Sequence, residues 1–203
     1  MLRRSLLTAA FIAFAGVSAP GMPATAAADP ATMISNLGSR ALEVLGKDAT
    51  QSQRVARFRE LLREDFDVPG IARFVLGRYW NTATEEQRAE FTKLFEEYIA
   101  MAYATRLAQY TGETLKVTGS RPDASGTVVS SQILRPAGAA LVKVDWHLTG
   151  RGGVYKISDV SVDGISMAVT QRSEFASVIQ HNGGQVQSLL TMLREKTAGA
   201  APR

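Results

Sequence analysis

The chain has 203 residues, with 23 Lys and Arg against 19 Asp and Glu, no cysteine, and only two histidines. Without cysteine the chain has no thiol nucleophile, thiolate metal site or disulfide, and two histidines are too few for a histidine-rich metal centre. The formal net charge of +4 is not concentrated in any cluster of basic residues, which argues against nucleic-acid binding. We therefore expect no metal, no cofactor and a core that is stable without cross-links.

The N-terminal residues predict a secretory signal peptide. Arg3 and Arg4 precede an apolar run from Leu6 to Val17, and the triplet Ala26-Ala27-Ala28 offers an A-x-A cleavage site. The apolar run is shorter than the ~20 residues that span a bilayer. We predict a signal peptide over residues 1–28 and export to the periplasm, with the net charge of the mature chain falling to +2.

Helical patterns fill residues 29–111, the first part of the predicted mature domain. Apolar residues recur at steps of three and four, Pro69 suits the start of a short helix, and Thr84-Glu85-Glu86-Gln87 reads as a capping box. Gly46 and Gly77 follow two of the helices as stop signals. The predicted helices run over 29–45, 51–64, 69–77 and 84–110.

After Gly112 apolar residues recur at every second position, which indicates strands. Strands are predicted around Leu115 and over 127–134, 140–149 and 154–162, with short Gly-containing connections at 135–138 and 150–153. Such connections make antiparallel hairpins, so the sheet at 113–163 should have one apolar and one wet face. Asp163-Gly164 predicts a turn, and Ser166 a cap for the first of two closing helices within 166–197.

The order of these elements predicts an α+β fold with a four-stranded antiparallel sheet and helices packed against it. We expect a single domain over residues 29–197 and a disordered tail at 198–203. Such an architecture can enclose a cavity, although the aromatic residues of the long helix could equally be plain core.

One group of residues suggests hydrolysis. Asp145 and His147 lie on the same face of one predicted strand, and Ser131 could face them from the next strand. Such pairs are common on the wet face of a sheet, and the chain has no G-x-S-x-G nucleophile elbow. We therefore expect no catalytic residues and no enzyme activity.

Three stretches of the sequence carry a family resemblance: "FDVPGIARFVLGRYW", "EEQRAEFTKLFEEYIAMAYATRL" and "YKISDVSVDGISMAVTQRSEFASVIQHNGGQVQSLLTMLREK". In this combination and order they resemble the MlaC family, also called the toluene-tolerance or auxiliary ABC-transport family, over about residues 31–196. The positions that match the family motifs are Gly77, Trp80, Val160, Val162, Gly164, Ile165, Arg172, Ser173 and Phe175. Tyr155 stands where many members have Trp.

The resemblance implies a curved, cystatin-like or nuclear-transport-factor-like sheet that encloses an apolar lipid cavity with the helices. It implies a periplasmic carrier that shuttles phospholipid between an outer-membrane lipoprotein-porin complex and an inner-membrane MCE-domain ABC transporter, and so maintains outer-membrane lipid asymmetry. We expect the chain to be a monomer. A hopanoid-type lipid carrier and a periplasmic adaptor without lipid are the alternatives.

A lipid carrier must hide almost all of its cargo's tails from water. Two tails contain about 30 methylenes, and at ~0.8 kcal/mol each their burial amounts to roughly 25 kcal/mol. We predict the lipid-binding residues to be Phe74, Leu76, Tyr79, Trp80, Phe95, Tyr98, Ile99, Tyr103, Val144, Trp146, Val162 and Ile165. We predict the rim, where partners dock, at Arg78, Asn81, Arg151 and Arg172, although each of these could be an ordinary solubilising group.

Overall fold

The computed structural model describes residues 29–44, 49–107, 112–136, 142–151 and 154–198. The predicted signal peptide, residues 199–203 of the predicted tail, the helix stop at Gly46 and the helix end at Tyr110 lie outside the described residues. Within these ranges the elements are α1 (Pro30–Val44), α2 (Gln51–Asp65), α3 (Val68–Leu76), α4 (Tyr79–Thr82), α5 (Glu85–Leu107), β1 (Thr114–Asp123), β2 (Gly126–Leu134), β3 (Val142–Arg151), β4 (Val154–Val162), β5 (Ile165–Ser166), α6 (Met167–His181) and α7 (Val186–Thr197).

The helix starts follow from local capping. At the start of α5, the Gln87 amide donates to Thr84 Oγ1 (3.2 Å) and the Thr84 amide donates to Gln87 Oε1 (3.1 Å), which is the predicted capping box. Thr50 and Gln53 form the same motif at the start of α2. Two orphan amide groups are thereby satisfied at each helix start, so both helices begin where the sequence indicates.

The sheet has the order β1-β2-β3-β4-β5, and every neighbouring pair is antiparallel. The prediction of four strands is wrong, because β5 pairs with the end of β4 through Val162 and Ile165. Asp163 and Gly164 both have positive φ, 47° and 83°, as in the type I′ turn that favours two-residue hairpins. The turn therefore returns the chain along β4 for two residues before α6 begins.

The described residues form two apolar clusters. One lies among helices α2 to α7 and includes Phe91, Phe175 and Leu189, while the other joins α1 and α2 to the sheet through residues such as Ile34 and Leu148. The adjacent α2 residues Leu61 and Leu62 belong to different clusters, and Phe58 and Phe66 pack against both. Helix α2 is therefore a shared wall between the two.

Strand β4 carries much of the attachment between sheet and helices. The Asp67 amide donates to the Ile157 carbonyl (2.9 Å), and Lys156 Nζ donates to the carbonyls of Arg63 (3.2 Å) and Glu64 at the end of α2. At the other edge of the sheet, α1 packs on β1. In the described ranges, no helix combines the length and apolar character needed to cross a bilayer.

Candidate functional site

A cavity of about 650 Å³ lies between one face of the sheet and helices α1, α2, α3, α5 and α6. The strand register builds its sheet side, because Val144 pairs with Val162 and Trp146 pairs with Val160 across β3 and β4. Alternate residues of a strand share a face, so these four side chains point the same way. The apolar lining residues are Leu37, Ala41, Leu42, Phe58, Leu61, Leu62, Phe66, Val68, Ile71, Val75, Phe95, Ile99, Tyr103, Leu115, Ile133, Val144, Trp146, Val160, Val162, Ile165, Met167 and Ala168.

The helical side is built from one stripe of α5 and one of α2. Phe95, Ile99 and Tyr103 follow each other at steps of four, so they lie on one face of α5. The ring of Phe58 from α2 stacks on Tyr103 with the centroids 6.3 Å apart. The two large side chains therefore support each other where α2 and α5 meet at the cavity.

Carboxylates at the edge of the cavity are engaged in structural bonds. Glu96 pairs with Arg63 Nε at 2.7 Å, and Asp163 Oδ1 accepts from the Lys143 amide at 3.0 Å. Asp159 accepts from Ser166 Oγ (2.5 Å) and from the amides of Val160 and Ala168. Glu96 thereby joins α5 to α2, while the two aspartates organise the turn and the start of α6, where the helix dipole also favours a negative charge.

Tyr103 and Arg106 add two polar groups in the last turns of α5. Burial raises the pKa of Tyr103 above the ordinary 10.0, so its hydroxyl keeps its proton at neutral pH. The Arg106 guanidinium lies over the Tyr103 ring, 5.9 Å from its centroid. Arg106 was not predicted, because a lone arginine near a helix end gives no signal in the sequence that it borders a cavity.

Seven of the predicted lipid-binding residues line the cavity: Phe95, Ile99, Tyr103, Val144, Trp146, Val162 and Ile165. Ile165 is 61% exposed, so it lies at the mouth rather than in the interior. Leu115, Ile133 and Val160 line the cavity as well. These three residues were not predicted to bind lipid, although they follow the same strand alternation that indicated Val144.

The other five predicted residues do not line the cavity: Phe74, Leu76, Tyr79, Trp80 and Tyr98. Leu76 is buried in the helical cluster, and Tyr98 packs on Phe175 at 5.9 Å. Tyr79 and Trp80 of α4 also pack against that cluster, while Phe74 is 43% exposed. The short and long helices are apolar on more than one face, and periodicity does not tell which face meets the cavity and which meets other helices.

Three of the four predicted rim residues, Arg78, Asn81 and Arg172, do not line the cavity. Arg78 donates to the Tyr79 hydroxyl at 2.9 Å, Asn81 is exposed in α4, and the Arg172 guanidinium lies 5.2 Å from the centre of the Phe74 ring. Arg151 ends β3, and its side chain lies outside the described part. A docking role for these four residues stays a prediction.

The strand pleat separates the three residues that suggested hydrolysis. Ser131 lies on the cavity side of the sheet, where it accepts from Trp146 Nε1 at 2.8 Å and donates to the Val144 carbonyl at 3.2 Å. Asp145 and His147 lie on the opposite face, bonded to Ser130 and Ser161 respectively. The three side chains therefore do not form a triad.

No group of three metal-ligating side chains is found among the described residues either.

Comparison with known proteins gives a family and a fold. The family model described as MlaC protein matches residues 36–195. The chain is 25% identical over 125 residues to the toluene tolerance protein ttg2D of Pseudomonas putida, and 23% identical over 128 residues to the intermembrane phospholipid transport system binding protein MlaC of Haemophilus influenzae. Each alignment covers 61% of this chain, but only 58% and 59% of the respective relative.

A solved structure is similar over most of the chain. It is a phospholipid-binding protein from Ralstonia solanacearum in complex with a phospholipid, with a TM-score of 0.71 and 24% sequence identity. The match covers 86% of this chain and all of that one. At this level of identity the likeness establishes the α+β fold.

Proposed function

The chain belongs to the MlaC family, and on that premise we propose that it is a periplasmic carrier that binds phospholipid acyl chains in the cavity between sheet and helices. Family membership also confirms the expectation that the chain is not an enzyme. The predicted signal peptide over residues 1–28 supports a periplasmic location.

The observation that carries this proposal is the composition of the cavity wall. Side chains from the sheet and five helices give a nearly continuous hydrocarbon surface, while the carboxylates at its edge are engaged in structural bonds. Its volume of about 650 Å³ lies within the roughly 300–1,000 Å³ range of small-molecule sites. Each methylene buried there stabilises the complex by ~0.8 kcal/mol, so lipid tails are the ligand that such a wall favours most.

The relatives support the same cargo. One is named for intermembrane phospholipid transport, and the Ralstonia solanacearum structure contains a phospholipid. We extend the proposal to shuttling between an outer-membrane lipoprotein-porin complex and an inner-membrane MCE-domain ABC transporter. Because tails cannot be released into water at a useful rate, transfer has to occur inside a docked complex, with Arg78, Asn81, Arg151 and Arg172 as candidate docking residues.

The decisive experiment identifies the cargo without choosing it in advance. Protein purified from its own cells is analysed by native mass spectrometry, and an organic extract of the same sample is analysed for lipids. One or two phospholipids per chain, transferable to acceptor vesicles, are the expected result. A hopanoid in the extract would redirect the proposal to a different lipid class, and a lipid-free extract would favour an adaptor role.

A further inference from the structure

The cavity edge carries one basic side chain among the described lining residues, Arg106. Arg106 is in the last turn of α5 and is exposed. Within the part of the chain that the structure describes, its guanidinium forms no ion pair and no hydrogen bond, and its one recorded contact is with the face of the Tyr103 ring. An arginine placed at an apolar cavity without a carboxylate partner is available to a ligand.

The acids that line the same cavity are held by partners other than Arg106. Glu96 is paired with Arg63, and the Asp159 carboxylate accepts three hydrogen bonds from the start of α6 and its surroundings. Glu113 also borders the cavity and is not free. In the described part of the chain none of these acids forms an ion pair with Arg106, so its guanidinium can still pair with an anionic ligand.

A second donor lies one helical turn before Arg106. The Tyr103 side chain lines the cavity, and its hydroxyl has no hydrogen-bond partner among the described residues. Burial raises its pKa, so the hydroxyl remains a donor at neutral pH. Residues three apart share a helix face, so Tyr103 and Arg106 reach the cavity from the same side of α5, with the guanidinium over the Tyr103 ring.

We propose that Arg106 and the Tyr103 hydroxyl bind the phosphate of the cargo's headgroup while the tails enter the cavity. This inference rests on the proposed function and deepens it. A guanidinium donates two parallel bonds to phosphate oxygens, and the hydroxyl supplies a third. The site therefore selects glycerophospholipids over lipids of similar tail content that lack a phosphate, such as diacylglycerol or a neutral hopanoid.

The test compares two lipids that differ in the headgroup alone. Delipidated protein is mixed with detergent-solubilised dioleoyl-phosphatidylglycerol or dioleoylglycerol, and bound lipid is measured after gel filtration. Wild-type protein should bind phosphatidylglycerol about tenfold more tightly, which corresponds to roughly 1.4 kcal/mol. Arg106→Gln should remove that preference and leave dioleoylglycerol binding unchanged, Arg106→Lys should keep part of it, and Tyr103→Phe should reduce it.

Arg57→Gln is the matched control, because Arg57 is exposed on α2 and does not line the cavity. Its lipid preference should equal that of the wild type. Equal losses for both lipids in Arg106→Gln, or an undiminished preference in a folded Arg106→Gln, would overturn the headgroup site while leaving the carrier function in place. Displacement of phosphatidylglycerol by an equal concentration of inorganic phosphate would also overturn it, in favour of a site for the free anion. Wild-type protein that binds neither lipid would overturn the proposed function and this inference together.

Discussion

The guanidinium of Arg172 in α6 lies against the α-carbon of Gly77, the residue that ends α3. A β-carbon at residue 77 would be 2.8 Å from Arg172 Nε, which is closer than real contacts allow, and the same guanidinium covers the Phe74 ring. Both residues belong to the sequence motifs that carry the family resemblance. The contact between them joins α3 to α6, so we attribute the two motifs to helix packing rather than to direct contact with cargo.

Replacing Gly77 with Ala should destabilise the fold mainly through backbone strain. Gly77 has φ 60° and ψ −130°, a conformation that essentially only glycine adopts, whereas the new methyl group would displace only the flexible end of the exposed Arg172 side chain, which costs little. We expect the free energy of unfolding to fall by about 1–3 kcal/mol, measured by urea denaturation.

Gly119→Ala in β1 is the control, because a β-carbon there meets nothing within 4 Å. It should change the unfolding free energy by less than about 0.5 kcal/mol. Combining Gly77→Ala with Arg172→Ala separates the two causes, since the contact is then relieved and the backbone strain remains. A Gly77→Ala protein as stable as Gly119→Ala would contradict this account.

The ion pairs between α1 and α2 give a second test. Arg40 contacts Asp65 at 2.5 Å and Glu64 at 2.7 Å, but the Asp65 side chain is 9% exposed and that of Glu64 63%. Loss of the buried partner leaves Arg40 poorly compensated, so Asp65→Ala should lower the unfolding free energy by about 1–3 kcal/mol. Glu64→Ala should cost less than about 1 kcal/mol.

Hydrogen exchange localises this effect, because the amides of α1 should lose protection in Asp65→Ala and keep it in Glu64→Ala. Equal effects of the two substitutions on stability and on α1 protection would show that the burial of Asp65 is not what makes its ion pair important.

Val144→Arg tests the cavity directly. Val144 is 4% exposed and faces the cavity, so a charged side chain there would occupy the space of the tails and oppose their burial. We expect a folded protein whose lipid-to-protein ratio, measured by extraction and mass spectrometry, falls close to zero. Val154→Arg is the same substitution at a strand residue that is 68% exposed, and it should retain the wild-type lipid content. Unchanged lipid in a well-folded Val144→Arg protein would argue against this cavity as the binding site.

Tyr98→Arg should behave differently from Val144→Arg, although the sequence pattern alone suggests the same outcome. Tyr98 packs on Phe175 in the helical cluster and does not line the cavity. An arginine there would replace aromatic packing with a desolvated charge, and we expect a loss of about 3–5 kcal/mol in stability. Thermal unfolding followed by circular dichroism should show a lowered midpoint, whereas lipid loss at an unchanged midpoint would contradict the packing of Tyr98.

The raised pKa of Tyr103 predicts a stability change at alkaline pH. The folded-state pKa is above the unfolded value of about 10, so the unfolded chain loses this proton first as the pH rises. The stabilisation that the protonated Tyr103 gives to the folded state is fully present below pH ~10, and it is lost as the pH rises through the folded-state pKa. In Tyr103→Phe the unfolding free energy should therefore decline less steeply above pH ~10, as measured by urea denaturation at a series of pH values. Parallel pH profiles for the two proteins would show that Tyr103 is not buried as described.

The sequence predicted the elements well where the signal is local. The capping box at Thr84 and the alternation around Val144 each depend on neighbouring residues, and both agree with the structure. The fifth strand was missed because two residues are too short for any period, although the Asp163-Gly164 turn that produces it was recognised.

The site was predicted only in part because lining depends on packing between distant elements. Val144, Trp146 and Val162 were found because a strand has just two faces. On a helix such as α5, Phe95 and Tyr98 are both apolar, and only the positions of α6 and the sheet decide that Phe95 borders the cavity while Tyr98 does not. Arg106 could not be predicted from the sequence, because its place at the cavity edge depends on how α5 packs in the folded chain.

The Asp163-Gly164 turn also determines how β4 and α6 are joined. The turn occupies two residues, β5 occupies the next two, and Ser166 caps α6 by accepting from the Val169 amide at 3.0 Å. Loops usually tolerate insertions and deletions with little effect, but every residue of this junction belongs to the turn, to β5 or to the helix cap. One added residue would turn Ile165 away from the cavity mouth and move the cap off the helix start. Length variation among relatives is therefore expected elsewhere in the chain, and this junction should keep a constant number of residues.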